Sequence, residues 1–413
     1  MRIAVIGTGI SGMLAAYLLH EDHDLTVYEA NDYVGGHTHT IDVPTGGDTY
    51  AVDTGFIVFN EANYPTFVRL LRRLGVAWKP SRMGFSVRCE RTGLEYRPSS
   101  LDTLFAQRRN LVRPWFWRMV RDIFRFRRES AAVLETSDDR TLGRYLADGG
   151  YSRGFIDYFI VPMGSAIWSS DPVRFREFPV RTFVQFFENH GFLRVRGQPQ
   201  WQVVCGGSKA YVAALTAPYR DRIRVGTPVR SVRRMDDSVE VRADGVEPQR
   251  FDHVVIAAHS DEALAMLADP TPAERDILGA IPYQENETVL HTDTKLLPRR
   301  RKVWASWNYH VPPEPVGRVA VTYDMNILQG LDAPVEFCVT LNRTEAVDPA
   351  TVIASMTYTH PVFEPAGVAA QQRHGEISGV HRTHYCGAYW GYGFHEDGAA
   401  SALAVARYFG KTL

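Results

Sequence analysis

Four cysteines in 413 residues, Cys89, Cys205, Cys338 and Cys386, lie far apart with no C-x-x-C pair, which argues against a disulfide framework and a cysteine-built zinc site. Net charge is scarce too. With 46 basic against 47 acidic side chains the balance is -1, so no global field draws the chain to nucleic acid and any electrostatic partner must meet a local patch. No apolar run approaches the roughly 20 residues that cross a bilayer, and no second G-x-G-x-x-G with strand and helix around it speaks for a separate NAD(P)H site. His37-Thr38-His39 could share a strand face, yet no third ligand is evident, so no metal is expected. The remainder is an ordinary globular balance, 45 % hydrophobic and 23 % charged, long enough for two or three domains. The cysteine usage fits a reducing cytoplasm, and a strand beginning at Ile3 leaves no room for a signal peptide.

The opening RIAVIGTGISGMLAAYLL carries a β-branched run, then Gly7-x-Gly9-x-x-Gly12, then a helical pattern; a second strand, LTVYEA, ends on Glu29 and Ala30. This is the context a dinucleotide site requires: strand before, helix after, and an acid about 20 positions on. Gly7 allows the tight turn, Gly9 lets backbone approach a pyrophosphate on the helix N-terminus beside Ile10 and Ser11, and Gly12 lets helix and strand pack closely. Glu29 is expected to accept from a ribose hydroxyl and to repel a 2′-phosphate.

Beyond Glu29 come Gly35, Gly36 and His37, then Thr38 and Thr40, then AVDTGFIVFN with Asp53, Thr54, Gly55 and Phe56. Here the chain resembles the FAD-dependent family of amine oxidases, protoporphyrinogen oxidases and carotenoid desaturases, whose second strand is followed by Glu-x5-Gly-Gly-Arg. His37 stands where that family has arginine, which removes the expected salt bridge to the pyrophosphate. The resemblance implies an α/β fold, α+β overall: a Rossmann-like FAD-binding domain of the amine oxidase/glutathione-reductase type with an inserted mixed substrate domain. It places Val229 against the adenine. It divides the chain into 1–80, 201–262 and 380–413 for FAD, with 81–200 and 263–379 for substrate. In GYGFHEDGAASALAVARYF it implies a last flavin motif, with Gly387, Phe394, His395, Glu396, Asp397 and Gly398 at the cofactor and Gly398, Ala399 and Ala402 pressing a helix N-terminus onto it. Cys386 would be a buried small residue rather than a covalent flavin anchor.

Longer stretches, among them VPMGSAIWSSDP, ASWNYH, VTYDMNILQ and GAYWGYGFHEDG, resemble one bacterial group of FAD-dependent oxidoreductases over essentially the whole chain. Some members of that group resemble the flavin-dependent fatty acyl desaturase of methylated and furan fatty acid synthesis. That resemblance implies a methyl-branched acyl chain in phospholipid as substrate, losing two hydrogens to FAD, with oxygen or a quinone as electron acceptor. Candidate bases are His190, Tyr309 and His395, and candidate walls of an apolar tunnel are Trp168, Phe186, Phe187, Trp304, Trp307 and Tyr309. Two rivals remain: an amine oxidase with an aromatic cage around a neutral amine, and a flavin-containing lipid-binding or redox-sensing protein without turnover.

One local patch answers the missing global charge. In RRNLVRPWFWRMVRDIFRFRRES, residues 108–130, Arg118, Arg121, Arg125 and Arg128 share one helical stripe, and Trp115, Met119, Ile123 and Phe126 share another. A basic amphipathic helix of this kind suits the inner face of an anionic membrane, as a peripheral contact, or a domain helix with solvated arginines. Nothing else in the chain supports nucleic acid.

Overall fold

The computed structural model describes residues 1–136, 138–194, 197–314 and 317–413.

Four segments distant in sequence build the first sheet. Its five parallel strands run in the order Ile223–Arg224, Asp24–Tyr28, Arg2–Ile6, His253–Ile256, Thr383–Tyr385. The central strands are near-continuous apolar runs because both faces are covered; Ile3, Ala4, Val5 and Val254 to Ile256 are fully buried. The helix Ile10–Leu19 is buried at nine of its ten positions, which explains why ISGMLAAYLL shows no polar stripe. It is wedged between this sheet and the last helix, His395–Tyr408.

The first helix is the neighbour of Gly398 and of the alanines after it. A Cβ on Gly398 would stand 2.8 Å from Ile10 Cγ2 and 2.9 Å from Ser11 Oγ. Ala399, Ala402 and Ala406 are buried in the same cluster as Ile10, Met13 and Leu14. Small side chains are needed there so that two helix axes can approach.

The second large sheet has seven strands in the order Val352–Pro361, Tyr283–His291, Cys338–Leu341, Val321–Asp324, Trp307–Val311, Phe85–Cys89, Leu94–Tyr96. All pairings are antiparallel except Trp307–Val311 with Phe85–Cys89. Over it lie the helices of residues 101–189, whose aromatic side chains form one large core with the sheet. A three-stranded antiparallel sheet, Val229–Arg234, Val239–Ala243 and Gln249–Phe251, flanks the parallel sheet, with Tyr28 and Phe251 ring centroids 6.3 Å apart.

Residues 108–130 are not one helix. A 3-10 turn covers Arg108–Val112, the chain is extended at Arg113, and the α-helix runs Pro114–Glu129 with proline in its first turn, where the missing N–H is no loss. Met119, Ile123 and Phe126 are buried as expected, but Arg125 leaves the outer stripe: it bonds Glu129 and the Gly149 carbonyl and lies 4.4 Å over the Tyr151 ring.

Candidate functional site

The glycine turn between Ile6 and Ile10 separates two kinds of space. Gly7 adopts φ +98°, and a Cβ there would lie 2.8 Å from the Ala257 carbonyl; a Cβ on Gly12 would lie 2.0 Å from the Gly7 carbonyl. Both positions are closed by backbone. Gly9, at the helix N-cap, faces open ground: a Cβ would meet nothing within 4 Å. The helix behind it has neither a side-chain cap nor an acid in its first turn, so its amide donors and positive dipole end are left for an anion. Gly36, at φ +59°, closes the other side, with a Cβ there reaching 3.1 Å from Gly9 Cα. A diphosphate laid across Gly9 fits this cradle, and FAD fits the donor set.

Glu29 sits beside the turn, buried, but its carboxylate is already engaged. Thr8 donates both its amide, at 2.9 Å, and its hydroxyl to Oε2, while Asn31 donates its amide at 2.8 Å and its Nδ2 at 3.0 Å to Oε1. Four donors fill the roughly four acceptor positions of a carboxylate. A ribose hydroxyl would reach Glu29 only by displacing one of these donors. Ala30 follows it on the surface, and residues 224–229 are drawn alongside by amide–carbonyl bonds from Glu29 to Arg224 and from Thr227 to Glu29, so Val229 opens its strand close to Glu29.

His37 is half-buried among Tyr358, His360 and His259, with ring centroids at 5.1, 5.2 and 5.8 Å. Burial, reinforced by the neighbouring imidazoles, holds its pKa well below the ordinary histidine value, and burial puts His360 near 4. A neutral imidazole thus replaces the arginine of the family pattern, able to hydrogen-bond but not to supply charge. His39 points elsewhere, stacked on Tyr33 at 4.2 Å and bonded to the Tyr358 hydroxyl. Among the described residues no group of three His, Cys, Asp or Glu is arranged to hold a metal.

Thr38, Tyr211 and His395 form a closed triangle. Thr38 Oγ1 lies 2.5 Å from the Tyr211 hydroxyl, and His395 Nε2 lies 3.0 and 2.9 Å from the two oxygens. The His395 ring stacks on Phe56 at 3.4 Å, and burial lowers its pKa to about 3, so it is neutral. Thr40 and Thr54 serve the loop itself. Thr40 donates to Asp53 at 2.5 Å, and Thr54 bonds the His39 carbonyl and Tyr358. Asp53, buried and raised to about 6, also accepts from the Ser208 amide and hydroxyl and from Gln329 Nε2. Gly55 is dictated by contact, since a Cβ there would stand 2.1 Å from the His37 carbonyl.

The charged pair after His395 has structural tasks. Glu396 accepts from the Thr66 and Phe67 amides at 3.0 Å, capping the neighbouring helix Pro65–Leu74, which carries no side-chain cap of its own. Asp397, raised by burial to about 6, accepts from the Phe394 amide and caps its own helix. Their carboxylates point into helix ends. Gly387 is extended, with its amide on Ser401 Oγ, and Cys386 is buried with its thiol pushed up to about 12.

From Phe394 an apolar file leads into the second core. Phe394 stacks on Phe186 at 5.2 Å; Phe186 meets Trp168 at 4.6 Å, Trp168 meets Phe178 at 4.7 Å, and Phe178 meets Phe363 at 5.9 Å. His190 joins it, its ring 3.8 Å from Phe186. Its Nδ1 faces the Phe186 carbonyl at 2.9 Å and must donate, so the lone pair sits on Nε2. Burial lowers its pKa to about 4. Phe187 packs on Phe183 and Phe192, but Trp304 is elsewhere, bonded to the Pro298 carbonyl under Arg301, and Trp307 packs on Tyr323. Tyr309 is buried in the seven-stranded sheet near Phe85, its hydroxyl kept protonated by burial.

Sequence reasoning missed Tyr211, Tyr358, His259 and His360 as neighbours of this site. Tyr358 and His360 carried a readable signal, two residues apart in a strand and therefore on one face. Tyr211 carried none, because its hydroxyl reaches His395 across 184 residues.

A Rossmann-like parallel sheet with an anion-ready first helix and an apolar file at the far end of its loops defines a flavin dinucleotide oxidoreductase fold. The family model described as flavin containing amine oxidoreductase matches residues 10–301, and the chain belongs to that family. No curated protein sequence matches it at a significant level. Among solved structures it is similar to cyclohexylamine oxidase from Brevibacterium oxydans IH-35A, at 17 % identity, TM-score 0.70 and 99 % coverage of both chains. It is similar also to a CLA-producing fatty acid isomerase from P. acnes, at 18 % identity and TM-score 0.71, covering 99 % of this chain and 98 % of the other. A putrescine oxidase follows at 15 % identity and TM-score 0.68, with 99 % of both chains covered. At these identities the likeness is one of fold.

Proposed function

We propose that this FAD-dependent oxidoreductase dehydrogenates acyl chains, methyl-branched and carried on phospholipid, as a desaturase. The observation that carries the reading is the aromatic file. From Phe394 it runs not only to Phe363 but inward through Trp168, Phe183 and Phe126 in steps of 6.2, 6.1 and 6.2 Å. The rings pack on one another and are buried, Phe183 fully and Phe126 and Phe186 at 2 % exposure, so an acyl chain would enter by parting them, each methylene then contributing about 0.8 kcal/mol. The fold likeness to a fatty acid isomerase adds support, since that protein's name gives it an acyl substrate.

Bound FAD supplies the hydride acceptor. The chain supplies the rest: Gly9 and the first helix hold the diphosphate, the Phe394–Phe186–Trp168 file excludes water and aligns the chain, and His190 Nε2 accepts a proton. Of the three candidate bases His190 is the one on the file with its lone pair assigned; Tyr309 holds its proton, and both hydroxyl partners of His395 already engage its Nε2.

The test is anaerobic mixing of the flavin-loaded protein with methyl-branched phospholipid, its unbranched counterpart, and a panel of amines. The reading expects the yellow colour to bleach with the branched lipid and mass spectrometry to find it two hydrogens lighter. Bleaching by amines alone would make it an amine oxidase, the second reading, which the family and the cyclohexylamine oxidase fold favour.

A further inference from the structure

The outward face of the helix Pro114–Glu129 carries residues that a protein surface ordinarily hides. Phe124 is 56 % exposed and Trp117 47 %; in the 3-10 turn just ahead, Val112 is 82 % exposed and Leu111 46 %. Trp117 Nε1 donates to the Leu111 carbonyl at 2.8 Å, which fixes that turn against the helix and joins the two segments into one patch.

Arginines are interleaved with these side chains. At 100° per residue, Pro114, Trp117, Arg118, Arg121, Phe124 and Arg128 fall on a single arc of about 120°. Arg121 and Arg128 are 69 % and 77 % exposed. Residues 108–128 hold eight arginines and one acid, Asp122. That acid is turned inward and buried, accepting from the Ser152 amide. Glu129, 39 % exposed at the helix end, pairs with Arg125 and Arg128, so the outer arc is apolar and carries its cationic excess on Arg118 and Arg121, inside a chain whose net charge is -1.

We infer that this face docks on the surface of an anionic lipid bilayer. Charge complementarity selects the partner: guanidinium groups at headgroup level meet phosphates, while Phe124, Val112 and Leu111 enter the acyl boundary and Trp117 sits between, the arrangement of an interfacial helix. The helix is about 24 Å long and lies in the plane rather than crossing it. Its inner face carries Phe126, the buried ring at which the aromatic file ends, so the file ends directly behind the docked helix. The inference stands on the exposed arc alone and does not depend on the acyl substrate.

Flotation of the flavin-loaded full chain tests it, using vesicles of phosphatidylcholine with and without phosphatidylglycerol. The protein floats with the phosphatidylglycerol vesicles, stays below with pure phosphatidylcholine, and is released by raised salt. Replacing Arg118→Gln together with Arg121→Gln weakens binding about 25-fold, at about fivefold per arginine. Val112→Ser with Phe124→Ser weakens it at least about tenfold. Both double variants keep the parent's circular dichroism and flavin content, because none of the four residues touches the site. Equal flotation with both vesicles, or unchanged binding by the variants, overturns the inference. So does preferential binding of single-stranded RNA, or a dimer in sedimentation that the variants dissolve, since the face would then serve another partner.

Discussion

Substituting Gly9→Ala isolates the cofactor cradle from the fold. The residue has φ -62° and ψ 175°, which alanine adopts freely, and its new methyl would touch nothing within 4 Å. The cofactor-free protein should thus be unchanged to within about 0.5 kcal/mol, or gain slightly because alanine leaves the unfolded chain less freedom. A diphosphate crossing Gly9 would meet the methyl where backbone now approaches, and losing one charge-assisted bond from a helix-end amide costs about 1.5–3 kcal/mol. That converts to roughly 10- to 150-fold weaker FAD binding. Gly12→Ala is the contrast: its methyl would stand 2.0 Å from the Gly7 carbonyl, so the strand–helix contact itself must give and the cofactor-free fold loses stability. Titration of cofactor-free protein with FAD by flavin fluorescence, beside thermal melts by circular dichroism, separates the two effects. If Gly9→Ala binds FAD as tightly as the parent, the diphosphate does not cross Gly9 and the cradle is misread.

Glu396→Ala should remove the cap of the helix Pro65–Leu74 and cost about 2 kcal/mol, while Glu396→Gln, which keeps an acceptor oxygen, loses less; thermal melts and proteolysis near residue 66 check both. Asp397 is raised by burial to about 6, so between pH 4 and 6 the folded protein holds a proton that the unfolded chain gives up. Its contribution to stability is present at acid pH and lost as pH rises through about 6, with an upper bound of about 3 kcal/mol. Asp397→Asn should therefore gain on the parent as pH rises from 4 to 7, and a pH-independent difference between them would contradict the assignment. His190→Gln should leave FAD binding intact and slow flavin reduction by substrate about 10²- to 10⁴-fold in stopped flow; an unaffected rate removes His190 from the reaction.

Much of the cofactor half was readable because its signals are local. The run Ile3 to Ile6 and the spacing Gly7-x-Gly9-x-x-Gly12 belong to one turn, in which Gly7 and Gly12 are closed by backbone and Gly9 is left open, and Glu29 follows the neighbouring strand. The helix of residues 108–130 was legible as amphipathic, but Pro114 sets its start and Arg125 turns inward to Tyr151. The sequence alone also determined that His37 breaks the family's arginine pattern; its neutrality follows only from burial beside His360 and His259.

Tertiary structure decided the rest, for one physical reason: a side chain's partners are set by what packs against it, and here those partners are far along the chain. Glu396 reaches helix amides 330 and 329 residues away, and Tyr211 closes a hydrogen-bonded triangle with Thr38 and His395. Adjacent in sequence, His395, Glu396 and Asp397 look like one chemical cluster. Folded, they part into a neutral ring stacked on Phe56, a cap for a neighbouring helix and a cap for their own, because successive residues at a helix start point about 100° apart and meet different elements.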